Sequence, residues 1–388
     1  MMPMKHSLQK PLLLFVLCCM ALPAGATQKA AQKTKKTTAA ASHHASPAEW
    51  TFIVSGDSRN CGNVVMPTIA ANSKQYHPSF YWHLGDLRAI YKIDEDMLAA
   101  ANKSNQVLAC DAYEKQAWPD FIEHQIAPFG DLPFYIGIGN HELIAPENED
   151  KFTLQFADWL DTPSLHHQRL QDDANDHLLK PYYHWLRGGV DFIYLDNASD
   201  TFSKEQLAWF DHVLANATAD KHVHSVVVGM HEALPGSLAA SHSMGSKPNE
   251  TESTASGTHV YQALVAFRNQ THKPVYVLAS HSHFYMDGIF SSMPEDQRLP
   301  GWIVGTAGAV RYKLPEGAPS SAQTDVYGYL LATVAANGKI KFTFEKIAQS
   351  DVPDNMLSIY PQSFVQWCFE HNSQNIDPDA KDTNKCGQ

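Results

Sequence analysis

Short apolar runs punctuate this chain from Trp50 onward, each followed by a polar, helix-compatible or Gly/Pro-rich segment. They are Trp50 to Ser55, Phe80 to Leu84, Pro133 to Ile138, Val190 to Leu195, Val223 to Val228, Val275 to Ala279 and Trp302 to Val304. Brief β-branched and aromatic runs bounded by turn residues read as buried strands, and their alternation with longer polar segments predicts one layered α/β domain. Between the fourth and fifth strands, Ser203 to Asn216 reads as a helix. Ser203 and Gln206 suit a capping box there, and Leu207, Phe210, Val213 and Leu214 suit its buried stripe. Residues 234 to 258 lack periodicity and predict a long loop over the site. Tyr327 to Val334 and Lys339 to Phe344 flank Asn337-Gly338, a hairpin signal that closes the sheet. After about residue 349 the chain turns polar, with Phe364, Val365 and Trp367 as its apolar anchor.

The N-terminus adds a destination. Lys5 and Lys10 precede an apolar run from Leu12 to Leu22, and Pro23-Ala24-Gly25-Ala26 suits a signal peptidase, so residues 1–26 read as a removed secretion signal. The run is too short to span a bilayer, and no other stretch approaches that length. A lipidated Cys18 or Cys19 is disfavoured by bulky Val16 and Leu17 before them. Residues 27–48 carry almost no large apolar side chain and form a tether. The domain then covers 49–348, and 349–388 is a C-terminal tail. A secreted or periplasmic location follows.

The chain's 388 residues, 44% of them hydrophobic, are ordinary for a globular protein. Its net charge is −12, and losing Lys5 and Lys10 leaves 27 basic against 41 acidic residues, or −14. That balance disfavours nucleic acid or anionic membrane as a partner. Cys61, Cys110, Cys368 and Cys386 remain after cleavage, an even number that suggests two disulfides in an exported protein, with free buried thiols as the alternative. The pairing expected is Cys61 with Cys110 and Cys368 with Cys386, the second fastening the tail to itself. Five Asn-x-Ser/Thr sequences, at Asn102, Asn197, Asn216, Asn249 and Asn269, would matter for a eukaryotic secretory route.

The candidate chemistry lies at the strand ends. The first ends in Gly56-Asp57-Ser58-Arg59, the second in Gly85-Asp86-Leu87-Arg88 and the third in Gly139-Asn140-His141-Glu142. The fifth ends in Gly229-Met230-His231-Glu232 and the sixth in Ser280-His281-Ser282-His283. A lone Asp or His after a strand is usually a cap, but five polar endings in register point to one site. Carboxylate, amide oxygen and imidazole together suit divalent Mn, Fe or Zn.

These five segments resemble the motifs of the calcineurin-like metallophosphoesterases in order and spacing, over roughly residues 51 to 310. The resemblance implies a four-layer α/β/β/α sandwich of two mixed sheets flanked by helices, with two divalent metal ions at the strand ends. Carried over by position, Asp86 bridges the metals, Asn140, His231 and His281 complete one site, and Asp57 and His283 serve the other. His141 contacts the phosphate or protonates the leaving group. The implied activity is hydrolysis of small-molecule phosphate esters by a metal-bound hydroxide, monoesters before diesters. A noncatalytic phosphate-binding or scaffold protein with a degraded first site is the alternative.

The chain departs from that family in two places. Arg59 stands where a metal-binding His is usual, and it cannot ligate because it keeps its proton; Ser280 stands where Gly is usual. Purple acid phosphatases, a branch of the family, carry a Tyr three residues after the bridging Asp, where this chain has Ala89 and, nearby, Tyr91. Arg59 is expected to bind substrate phosphate, and Arg88, His242 and Arg311 are further candidates for substrate contact. Glu142 and Glu232 are placed to accept hydrogen bonds from the neighbouring histidines, or to stand as solvated carboxylates.

Overall fold

The computed structural model describes residues 49–239, 242–376 and 385–386. The expected secretion signal and tether lie outside the described residues. Among those residues no helix is long and apolar enough to cross a membrane.

Eleven strands among the described residues build two sheets: β1 (Trp50–Ser55), β2 (Tyr81–His83), β3 (Phe134–Ile136), β4 (Tyr183–Arg187), β5 (Val190–Tyr194), β6 (Ser225–Gly229), β7 (Val275–Ala279), β8 (Tyr285–Asp287), β9 (Gly301–Val304), β10 (Tyr327–Val334) and β11 (Ile340–Ile347). The first sheet runs β11-β10-β1-β2-β3 and the second β4-β5-β6-β7-β9-β8. Both are mixed. β1 pairs parallel with β2 but antiparallel with β10, and β6 pairs parallel with β5 and β7 while β4 and β8 are antiparallel edges. Strands buried on both faces read as continuous apolar runs, which is why Val226-Val227-Val228 shows no alternation.

The sheets face each other across aromatic side chains. Phe52 meets Phe192 edge-on at 5.1 Å, Trp82 meets Trp185 at 5.2 Å, and Trp185 stacks on Tyr135 at 3.8 Å. Offset and edge-to-face rings fill such a gap because each buries a large apolar area in the geometry its quadrupole prefers. Helices Gly62–Ser73 and Cys110–Phe121 cover the first sheet's outer side, and Lys204–Ala219 and Thr251–Thr271 cover the second's. The four-layer mixed sandwich is thus present.

Local details differ from the sequence reading in several places. Ser203 Oγ accepts from the Gln206 N–H at 3.1 Å, but the Gln206 side chain turns to Asp196 instead of closing a box. The loop assigned to 234–258 ends at residue 250, where the helix Thr251–Thr271 begins. Within that helix a Cβ at Gly257 would sit 2.5 Å from Pro235, so the glycine serves close packing. Strands β4 and β8 were missed. The tail is also not separate: Met356, Tyr360 and Val365 bury against Val64 of the first helix.

The disulfides correct the expected pairing. Cys61 bonds to Cys368 and Cys110 to Cys386, so each bridge joins the early domain to the tail. Cysteine spacing carries no record of which distant segments meet.

Candidate metal centre

The polar endings of β1, β2, β3, β6 and β7 converge at one rim. Three of the side chains that meet there leave the strands through left-handed backbone: Asp57 (φ 61°), Asp86 (φ 59°) and His281 (φ 62°). Such φ values turn the chain sharply and aim the side chain across the sheet edge. The turns are tied together, since Asp57 N–H donates to Gly85 O and Ser58 N–H to Asp86 O, both at 3.0 Å. Gly139 permits the closest approach: a Cβ there would fall on the Asp86 backbone and carboxylate.

Four donor atoms face one point. His231 Nε2 lies 3.2 Å from Asp86 Oδ1, 3.0 Å from Asn140 Oδ1 and 3.1 Å from His281 Nδ1. Spacings near 3 Å are the edges of a polyhedron around a cation with bonds of about 2.0–2.2 Å. Beside it, Asp57 Oδ1 is 3.2 Å from His283 Nε2, and Asp57, Asp86 and His283 form a second candidate group that shares Asp86 with the first. Asp57 Oδ1 and Asp86 Oδ2 are buried and accept no hydrogen bond. Buried, unsatisfied carboxylate oxygens among imidazoles are what a cation would satisfy, so the residues fit divalent metal.

The imidazoles are oriented from behind. His231 Nδ1 donates to Leu84 O at 3.0 Å, with Ser280 Oγ at 3.1 Å, and His283 Nδ1 donates to Val310 O at 2.7 Å. Each leaves Nε2 with its lone pair toward the cluster. Burial lowers His281 and His283 well below the usual range, the second helped by Arg59, so both stay neutral. Burial opposes the Asp86 charge, but His141, His231 and Arg59 hold its carboxyl well below the usual range. Burial pushes Asp57 up to about 7.

Arg59 and His141 stand over the second group. Arg59 contacts His141 Nε2 closely and reaches His283 Nε2 at 3.0 Å, Tyr312 Oη at 3.4 Å and Asp86 Oδ2 at 3.7 Å. His141 Nδ1 donates to Ala89 O at 2.7 Å. Burial, then Arg59, lowers its pKa to about 4. A cavity of ≈ 250 Å³ opens here, walled by Arg59, Tyr91, Asn140, His141, His242 and Tyr312. Lys92 also lines it and no carboxylate does, in a chain of net charge −12. A larger cavity of ≈ 490 Å³, beside Tyr182 and Trp209, contains no member of the cluster.

The remaining candidates divide. His242 lies at the pocket, its ring 5.2 Å from Tyr312. Arg88 does not reach it; the guanidinium is fully buried against Asp96 at 2.9 Å and against Asp94 and Asp120. Arg311 is buried too, donating to Asn372 O and Phe369 O and lying 4.8 Å over the Tyr327 ring. Both therefore fasten the fold. Glu142 holds no histidine: it accepts from the N–H groups of Asp86, Leu87 and Gly139 at 2.8–3.0 Å and so fixes two of the turns. Glu232 Oε1 is 4.0 Å from His281 Nε2, and burial, then Asp200, raises it to about 9.

Two supporting residues escaped the sequence reading. Ser280, noted only as standing where Gly is usual, also donates to Leu84 O at 2.9 Å, and Gly56 makes room for it. Asn197, noted only as a glycosylation sequence, is fully buried, and its Oδ1 accepts from the N–H groups of His231 and Glu232. Burial rules out a glycan there. A polar residue soon after a strand was the available signal for Asn197.

No family model matches the chain, and no curated protein matches it in sequence. Solved structures do. A purple acid phosphatase from yellow lupin (Lupinus luteus) seeds superposes with a TM-score of 0.51 at 14% identity, over 77% of this chain and 52% of that one. This chain thus spans about half of that protein's length, and at that identity the likeness establishes the fold. PhoD follows at TM-score 0.46 and 14% identity (78% and 72% covered), and a phosphatase from Mycoplasma pneumoniae at 0.37 and 13% (77% and 94%).

Proposed function

We propose that this chain is an exported calcineurin-like metallophosphoesterase that hydrolyses small phosphate monoesters in preference to diesters, with two divalent cations of Mn, Fe or Zn. The observation that carries the reading is the convergence of Asp86 Oδ1, Asn140 Oδ1 and His281 Nδ1 within 3.0–3.2 Å of His231 Nε2. Those residues would hold one cation, and Asp57, Asp86 and His283 the other. When bound, such a pair activates water and polarises phosphoryl oxygens. The two disulfides and the N-terminal sequence support export.

The chain's own residues supply the rest. Arg59 offers a planar fork of donors to phosphate oxygens at the pocket floor. His141, with Nδ1–H committed to Ala89 O, turns Nε2 toward the same space, where it would take up a proton from substrate or water and pass it to the leaving oxygen. Charge favours the monoester. Two divalent cations and one guanidinium against two carboxylates leave three positive charges, which a dianion offsets better than a monoanion. Turnover of a generic aryl phosphate with added Mn²⁺, beside a His141→Ala control, tests the reading. Equal and negligible rates in both would sink it in favour of a noncatalytic phosphate binder.

One observation favours a second reading. Arg59 lies 3.0 Å from His283 and 3.7 Å from Asp86, so its guanidinium could itself supply the second positive charge, leaving one metal. Metal analysis of the purified protein separates the two, at one or two ions per chain.

A further inference from the structure

The two disulfides differ in what can reach them. Cys61 and Cys368 are both 0% exposed inside the main core, whereas Cys110 is half-buried at the surface. Its partner Cys386 closes a small apolar cluster of Ile90, Ile93, Met97 and Tyr113. That cluster backs the pocket wall. The Cys386 N–H donates to Tyr91 O at 3.0 Å, and Lys385 pairs with Lys92 in an isolated antiparallel bridge.

The wall segment touches the chemistry directly. Tyr91 and Lys92 line the pocket, the Tyr91 ring lies 5.4 Å from the His141 ring, and Ala89 O accepts from His141 Nδ1. Between them, Ile90 has φ 59°, a left-handed conformation that a β-branched side chain resists. Such a residue stays in place only where its neighbours over-determine it. The Ile90 N–H is held by the Tyr113 hydroxyl at 3.0 Å, and the next carbonyl is held by Cys386.

We infer that Cys110–Cys386 is a redox-sensitive tie that positions Tyr91 and its neighbours in the phosphate pocket, so that a dithiol opening it weakens substrate binding. In that step the dithiol gives two electrons and two protons to the sulfur–sulfur bond. Two cysteine thiols form and the dithiol closes to a cyclic disulfide. The kinetic part of the inference rests on the phosphoesterase reading; the structural part does not.

The full chain is treated with a dithiol under native conditions, alkylated, and mapped by mass spectrometry, alongside Cys386→Ser. Cys110 and Cys386 should alkylate while Cys61 and Cys368 stay paired. The Ile90 amide should then exchange about tenfold faster, because fewer contacts hold its segment. The KM for an aryl phosphate should rise about tenfold with kcat changed less than about twofold, the pattern of lost ground-state positioning. Should Cys386→Ser fail to fold, the reduced and alkylated wild-type protein carries the same measurements. Unchanged exchange after the bridge opens would overturn the tie, as would equal reactivity of Cys61–Cys368. Faster exchange with an unchanged KM would overturn its role in binding. Absent turnover before reduction would overturn the enzyme reading alone, and the exchange result would still decide the tie.

Discussion

The two donor groups at the sheet rim share Asp86 and differ in nearly everything else. In the first, four neutral or anionic donors already face one point, and His231 is held from behind by Leu84 O and Ser280. In the second, Asp57 and His283 face each other across 3.2 Å, but a guanidinium stands against them. The first can accept a cation with little movement, while the second must first shift Arg59. The contrast teaches that one side chain, Arg59, two residues beyond Asp57, sets the two groups apart: the first is open to a cation and the second is open only if the guanidinium moves.

That contrast can be broken most severely at the shared residue. Asp86→Asn should remove both cations and activity by about a thousandfold or more, on the scale of losing a preorganised charge in a site. Retention of one ion per chain would mean that the groups do not depend on a common carboxylate. His231→Ala should empty only the first group and leave the fold intact, because the ligands sit at strand ends beyond the core; full metal occupancy in that variant would make the histidine structural. Arg59→Ala comes next. Loss of a charge-assisted bond of about 1.5–3 kcal/mol should raise KM about tenfold or more and weaken inhibition by inorganic phosphate. Arg59→His should instead tighten the second cation, and equal metal titrations of the two variants would remove the asymmetry altogether. The smallest effect is expected at Ser280→Gly, which deletes an outer hydrogen bond of His231 and should loosen the first cation about tenfold, measured by competition with a chelating dye.

The gathering of these polar residues at one rim was legible in the sequence because strand ends concentrate chemistry: a short apolar run closing in Gly-Asp or Gly-Asn-His needs no tertiary information to be noticed. The arginines show where that logic stops. Arg88 follows the Gly-Asp motif as Arg59 does, yet it is turned back onto Asp94 and Asp96, carboxylates whose nearness depends on how the following loop folds. Ser280 and Asn197 act on groups of other segments, so beyond their place just after a strand nothing in the chain announces their roles. A layered α/β domain followed from the alternation of runs, and its two-sheet form from the resemblance that the strand endings carry. Its edges did not, since β4 and β8 are short antiparallel additions whose polar positions blur the pattern. The disulfides were misread for the same reason, as both reach from the early domain into a tail that had seemed to stand apart.

The left-handed turns at Asp57, Asp86 and His281 carry a thermal consequence. A non-glycine residue held in that region costs about 1 kcal/mol or more, and here three such residues surround buried oxygens without hydrogen bonds. On the proposed metal-binding reading, the fold without cations is therefore less stable than its core alone would make it. Ions that bind the folded chain return about 2.7 kcal/mol at a hundred times their dissociation constant. Heat resistance thus becomes a gauge of loading: the melting temperature should climb as Mn²⁺ or Zn²⁺ is titrated in and fall with a chelator. On the proposed export, a copy that left the cell without metal would be the one most exposed to proteases outside it.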